Sequence, residues 1–198
     1  MPLWVTAIAI AVLGTMAWGG VLAAPWLPLP RREVDRLLAL VQPKPGELLC
    51  DLGCGDGRIL TQAALRYGVR GVGFEVSLLP YVLCWCRIIA SRTWRTVKVR
   101  YRNFYTQPLG QFTVVTAFLT PRAMAKLGPK LAAELTPGSR VVSYSFPIPG
   151  WQPQAVSKPN ASHVAIYRYD IATVKTVAGG RDFRELGSSS AAGSQGRN

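Results

Sequence analysis

The sequence predicts an α/β layer fold built on a parallel sheet, and three observations carry that expectation. Short apolar runs alternate with amphipathic segments from residue 31 to about residue 170, the alternation that builds strand–helix–strand units. The first of these runs, Leu48-Leu49-Cys50, leads straight into a glycine-rich turn, Asp51-Leu52-Gly53-Cys54-Gly55-Asp56-Gly57, which puts a ligand at the carboxyl ends of the strands. Leu3 to Leu29 contains no charged residue. Together they specify a Rossmann-like sheet preceded by one transmembrane helix.

The uncharged run comes first. Its 27 residues would rise about 40 Å as a helix, enough to cross a bilayer with some tilt. Trp4, Trp18 and Trp26 recur along it, two of them near the ends, where indoles favour the membrane interface. A signal peptide cleaved near Val21-Leu22-Ala23-Ala24 is the competing reading, but there is no basic n-region and the run exceeds the usual h-region. Arg31-Arg32 follow directly, so the positive-inside rule puts the C-terminal domain in the cytoplasm. With no Arg/Ser-rich presequence ahead of the anchor, the expected membrane is bacterial rather than organellar.

Pro25, Pro28 and Pro30 stop the membrane helix. Arg31 to Gln42 then reads as an amphipathic helix, with Val34, Leu37, Leu38 and Val41 on one face. Pro43-Lys44-Pro45-Gly46 breaks it ahead of a strand at Glu47–Asp51, and a helix follows from Arg58 to Tyr67, ended by Gly68. Arg70 to Glu75 is the second strand. The next helix, capped by Ser77 with Pro80 in its first turn, runs to about Arg92. Its residues Leu78 to Cys86 are apolar almost all round, which predicts burial against the sheet. Strands at Val97–Asn103 and Phe112–Leu119, a helix from Pro121 through Leu135, and a fifth strand at Arg140–Ser145 complete the alternation. Two closing strands follow near Gln154–Ser157 and Ser162–Tyr169, with His163 inside the second. The organisation is an anchor at 1–30, helix and linker at 31–46, a globular domain at 47–170 and a disordered tail at 171–198, where Gly, Ser and charge take over.

The glycine turn discriminates between cofactors. A dinucleotide fingerprint beginning at Gly53 would need glycine at position 58, where Arg58 stands. No Gly-Lys-Ser/Thr follows, which excludes a P-loop. An acidic residue closing the strand before G-x-G-x-G instead resembles the pattern of S-adenosylmethionine-dependent methyltransferases. Glu75 ends the next strand, beside the loop, where a carboxylate can accept both ribose hydroxyls. Asn103-Phe104 follows the third strand, where such folds set a polar side chain and a ring against adenine.

Charge and cysteines narrow the partners. The net charge is +13, and no acid lies between Glu75 and Glu134, while Arg87, Arg92, Arg95, Lys98, Arg100, Arg102, Arg122, Lys126 and Lys130 do. Beside an anchor this reads as a surface for anionic lipid, each cation contributing about 1 kcal/mol; nucleic acid is the less favoured partner. Cys50, Cys54, Cys84 and Cys86 have no zinc-hook spacing and no Pro-Cys or Thr-Cys dipeptide. They are expected to be buried small residues, with no metal site.

Asp51 to Arg58, Gly71-Val72-Gly73-Phe74-Glu75 and Ser145-Phe146-Pro147-Ile148-Pro149-Gly150-Trp151, behind one membrane helix, together resemble a particular family. It is the single-pass seven-β-strand (class I) protein-lysine methyltransferases whose mitochondrial members modify the ATP synthase c-subunit and the adenine nucleotide translocase, with their bacterial relatives. The resemblance implies S-adenosylmethionine as cofactor, with Asp51 at its methionine end, Gly53, Cys54, Gly55 and Asp56 along it, Glu75 on the ribose and Asn103 and Phe104 at the adenine. Thr120, after strand four, would face the acceptor, and Phe146 and Trp151 would either line its channel or serve the core or an interface. Cys54, Ser77 and Asn103 depart from the residues usual at those places. No catalytic side chain is implied, because methyl transfer rests on alignment, worth up to roughly 7–11 kcal/mol, and on a lysine that has lost its proton in a dry pocket. A lysine of a membrane protein is the expected acceptor. A lipid, quinone or other small membrane-associated acceptor stays open, as does a non-catalytic scaffold that binds the cofactor.

Overall fold

The computed structural model describes residues 2–174; the expected tail from 175 to 198 lies outside the described residues. Among the described residues, five α-helices and seven strands follow in order: α1 (Leu3–Leu22), α2 (Arg31–Val41), β1 (Leu48–Leu52), α3 (Arg58–Tyr67), β2 (Arg70–Glu75), α4 (Leu78–Ala90), β3 (Val97–Tyr101), β4 (Val114–Ala117), α5 (Pro121–Glu134), β5 (Arg140–Tyr144), β6 (Ala155–Ser157) and β7 (Ile166–Asp170). The sheet order is β3-β2-β1-β4-β5-β7-β6. Strands β1 to β5 are parallel, whereas β7 runs antiparallel to β5, and β6 to β7. The expected seven-stranded, Rossmann-like α/β sheet is present, parallel through β5 and antiparallel at this edge. No helix separates β5, β6 and β7, and without a crossover the chain can only fold back on itself.

Strand order reverses between β1 and β4, the switch point where open α/β sheets bind ligands. Helices α2, α3 and α4 cover one face of the sheet, through Val34, Leu37, Leu38, Val41, Leu60, Cys84 and Ile88. On the other, α5 buries Met124, Leu127 and Leu131 with Phe74 and Phe112. The amphipathic reading of α2 explains its seat: Val34, Leu37, Leu38 and Val41 are fully buried, each contributing about 1.5–3 kcal/mol.

Several expectations are corrected. The apolar run does not stay helical to Leu29; α1 ends at Leu22 and the proline-rich stretch leaves the axis. His163 lies in a turn, its ring nitrogen 2.6 Å from Asn160 Oδ1, because β7 starts only at Ile166. Ile171 and Val174, assigned to the tail, pack into the core. Helix α4 buries a single stripe, Pro80, Cys84 and Ile88, and leaves Leu79, Val82, Leu83, Trp85 and Ile89 exposed. It lies over β2 and the edge strand β3, where the sheet ends and has no further surface to cover. Cys86, expected to be buried, is exposed on that helix.

Strand β2 is held close to α3 by small residues. A Cβ on Gly73 would sit 2.5 Å from Cys54 Sγ and 2.6 Å from Leu60 Cδ1, both fully or nearly buried, whereas one on Gly14 of α1 would meet nothing within 4 Å. Gly73→Ala is therefore expected to destabilise the domain by about 1–3 kcal/mol through overpacking, and Gly14→Ala to cost nothing. Thermal unfolding of the two detergent-solubilised variants checks this; equal midpoints would contradict the packing.

Candidate functional site

The carboxyl end of β1 delivers Asp51 to the switch point. Its Oδ1 accepts a 2.7 Å hydrogen bond from Thr116 Oγ1, the residue beside it on β4. Burial pushes the Asp51 carboxyl up to about 7; the Thr116 bond opposes this, and the nearby Glu75 and Asp56 carboxylates add to it.

After β1 the backbone turns on Gly53, Gly55 and Gly57, at φ 75°, 54° and 72°. Gly53 and Cys54 donate their N–H groups to the Phe74 carbonyl, each at 3.0 Å, which hangs the loop on β2. Glu75 fixes it further: Oε2 accepts from Gly55 N at 2.9 Å, and Oε1 from Val76 N and Ser77 N at 2.9 and 2.8 Å. Three backbone donors on one buried carboxylate tie the loop, the end of β2 and the start of α4 into one unit.

Asp56 is held by two arginines. Arg58 reaches it through Nε at 2.9 Å and Nη2 at 2.6 Å, and Arg87 Nη2 at 2.6 Å. Burial alone would raise its carboxyl, but the two guanidiniums outweigh that and hold it below the usual range. Cys54 shares a hydrogen bond with Cys84 that, with burial, pushes its thiol well up; burial does the same to Cys50. Neither is a thiolate nucleophile.

The segment after α1 roofs the site, which the sequence reading missed. Thr120 donates to the Ala23 carbonyl through N at 3.1 Å and through Oγ1 at 2.7 Å, and Arg58 Nη1 donates to the Leu29 carbonyl. Residues 23–29 are thus strapped from the end of β4 across to the start of α3. Between those ties the Trp26 ring lies on Gly55, where a Cβ would stand 2.8 Å from its Cδ1 and Nε1. Glycine at 55 therefore serves the turn and also admits an indole, which the sequence reading had assigned to the membrane interface. A tryptophan set between Pro25 and Pro28, outside any helix, was the available signal.

The partly open cleft is lined by Asp51, Gly53, Cys54, Gly55, Asp56, Glu75 and Phe104 together with Gly19, residues 23–29, Phe118 and Leu119. Asn103 stands just outside, its Oδ1 capping the turn Phe104–Thr106 by accepting from Tyr105 N at 3.0 Å. Thr120 caps α5 and holds the strap. Phe146 and Trp151 do not reach the cleft: they pack on the core under α5, Trp151 edge-on to Tyr169 at 5.5 Å.

The family model of the ANTKMT methyltransferase domain matches residues 51–155. A protein-lysine N-methyltransferase of Saccharolobus islandicus is 36% identical over 151 residues, 74% of this chain and 93% of that protein. The adenine nucleotide translocase lysine N-methyltransferase of Mus musculus is 36% identical over 153 residues, 76% of this chain and 64% of that one. Among solved structures, an RNA methyltransferase from Salinibacter ruber, in complex with S-adenosyl-L-homocysteine, has a TM-score of 0.70 at 33% identity, covering 73% of this chain and 94% of that one.

Asp51 generates a prediction about pH. Its folded pKa of about 7 stands above its ordinary 3.8, so the stability it contributes is fully present below pH 3.8 and is lost as pH rises through about 7. Asp51→Asn keeps an acceptor for Thr116 but carries no charge. The variant should match the wild type in acid and become the more stable of the two as pH passes 7, read as thermal midpoints in detergent. Parallel curves across that range would show that Asp51 does not titrate there.

Proposed function

The chain belongs to the ANTKMT methyltransferase family, and from that premise we propose that this S-adenosylmethionine-dependent methyltransferase is anchored in a membrane and methylates a lysine of a membrane protein. The observation that carries the membrane part is the construction of the cleft. One part of its wall is the glycine loop and Glu75, and another is Gly19 and residues 23–29, the end of the apolar helix and its continuation. An acceptor entering that cleft passes the exit of a helix long and apolar enough to cross a membrane. Lysine is favoured because the archaeal and mouse relatives are protein-lysine methyltransferases.

The residues suit the cofactor. Gly53 puts no side chain on the loop, and Glu75, though it accepts three N–H groups, keeps lone pairs for ribose hydroxyls. Buried Phe104 offers a ring at the adenine end, and Asp51 a carboxyl to meet the methionine ammonium, a charge that would draw its pKa back down. The cofactor supplies an activated methyl group on sulfonium sulfur. The chain's part is to hold acceptor and donor in line and to exclude water. Trp26, Phe118 and Leu119 make that wall apolar, which favours the neutral, nucleophilic form of an entering lysine amine.

A second reading, RNA as acceptor, is favoured by one comparison, the Salinibacter RNA methyltransferase, and by the acid-free stretch between Glu75 and Glu134. Membranes from cells lacking this protein, incubated with methyl-labelled cofactor and the purified chain, separate the readings when split into protein, lipid and RNA fractions. Label is expected in a protein band, as methyl-lysine after acid hydrolysis, and absent with Glu75→Ala. Label confined to lipid or RNA would replace lysine with that acceptor. A second test addresses the roof: Trp26→Ala should weaken cofactor binding by about tenfold, or about 1.4 kcal/mol, by calorimetry, and an unchanged Kd would remove Trp26 from the site.

A further inference from the structure

Helix α4 carries an apolar face that the fold leaves open. Leu79, Val82, Leu83, Trp85 and Ile89 are 37, 47, 36, 42 and 60% exposed, and Cys86 lies exposed among them. Scattered apolar side chains are ordinary on a protein surface, but a contiguous set on one helix marks a contact. Cations rim it. Arg92, Arg95, Lys98, Arg100 and Arg102 are exposed on the turn after α4 and on edge strand β3, and none is ion-paired among the described residues. Trp94 stands between them, 50% exposed.

The same helix is fastened to α1. Thr15 Oγ1 accepts from Leu78 N at 3.0 Å and the Thr15 carbonyl from Ser77 Oγ at 3.4 Å. Gly19 lies so close that a Cβ there would be 2.4 Å from Ser77 Oγ. We propose that α4 is a membrane-docking helix, which with α1 seats the domain in the headgroup and upper acyl layer of an anionic bilayer. This rests on the reading of α1 as a membrane span. If α1 spans, its 20 residues are all needed to cross about 30 Å of hydrocarbon. Thr15 then lies about 10 Å short of the helix end, inside the membrane boundary, and it brings the first turn of α4 to that depth. An apolar face at that level with arginines and an indole at its margin matches the composition of interfacial helices. A second copy of the chain is a poor cover, because it would set two cationic rims against each other.

Docking on α4 also sets the height of the cleft. Ser77 and Glu75 line it directly before α4, so its mouth opens near the depth of Thr15, along the path a lysine of a membrane-embedded acceptor follows as it snorkels toward the headgroups.

Cys86 makes the test direct, as the one exposed cysteine among the described residues. The full chain is labelled there with an environment-sensitive maleimide dye and reconstituted into phosphatidylcholine–phosphatidylglycerol vesicles carrying nitroxide lipids. Two comparison labels are placed in a Cys86→Ser background: Ile8→Cys on α1 and Ala125→Cys, exposed on α5 across the sheet. The dye at Cys86 is expected to shift to the blue and lose most of its emission to headgroup-proximal nitroxides, while that at Ala125→Cys keeps its emission. Quenching at Ile8→Cys without quenching at Cys86 would overturn the docking helix and leave the span intact; quenching at neither would overturn the span itself. Cys86-to-Cys86 crosslinking between copies without quenching would assign the face to a second chain instead.

Discussion

Everything at the working end of this molecule hangs on the Glu75 carboxylate. A buried charge is costly unless it is satisfied, and here three backbone N–H groups converge on it, one from the glycine loop and two from the residues directly after β2. Charge-assisted bonds of this kind are about twice as strong as neutral ones, so the glycine loop, the end of β2 and the first turn of α4 hold one relative position. Because Ser77 and Leu78 in turn bond Thr15, that fixed point extends to the apolar helix. The cofactor loop and the membrane-spanning candidate are separated by two links, each a backbone or short side-chain contact.

How much of this could be read in the chain depended on where each constraint originates. Local constraints were legible. The glycines, Asp51 and Glu75 announce a turn and two strand ends, and α3 and β2 fall at the residues their periodicity assigns. The antiparallel edge was half legible: two closing strands were evident, but their direction follows from a helix that is missing, which periodicity does not reveal. Asn103 and Phe104 were read as a pair facing one ligand, yet only Phe104 lines the cleft, since Asn103 spends its side chain on the turn that orients Phe104. Phe146 and Trp151 carried the most particular motif but pack, half-buried, against the core; a distinctive sequence can mark packing as well as chemistry.

Helix α4 was misread for a physical reason. An apolar helix is expected to be buried when water is the only solvent considered, and Leu78 to Cys86 offer no polar face to break that expectation. The sheet ends at β3, however, and one stripe, Pro80, Cys84 and Ile88, is all it can cover. The surplus apolar surface is what the proposed docking in a second medium would cover, and α1 supplies the reason to propose one.

The roof over the cleft joins these themes. Residues 23–29 continue the apolar helix, cross the strand ends, and are held by Thr120 at one end and Arg58 at the other. Arg58 also binds Asp56, which Arg87 of α4 binds in turn. A displacement of α1 relative to the domain would therefore pull on both anchors of the strap: on Ala23 directly, and on α4 through Ser77. Trp26 lies between those anchors with no side chain on Gly55 to keep it away. The wall of the cleft therefore includes the end of the apolar helix and its continuation, which makes the position of that helix part of the candidate site's geometry as well as a tether attached to it.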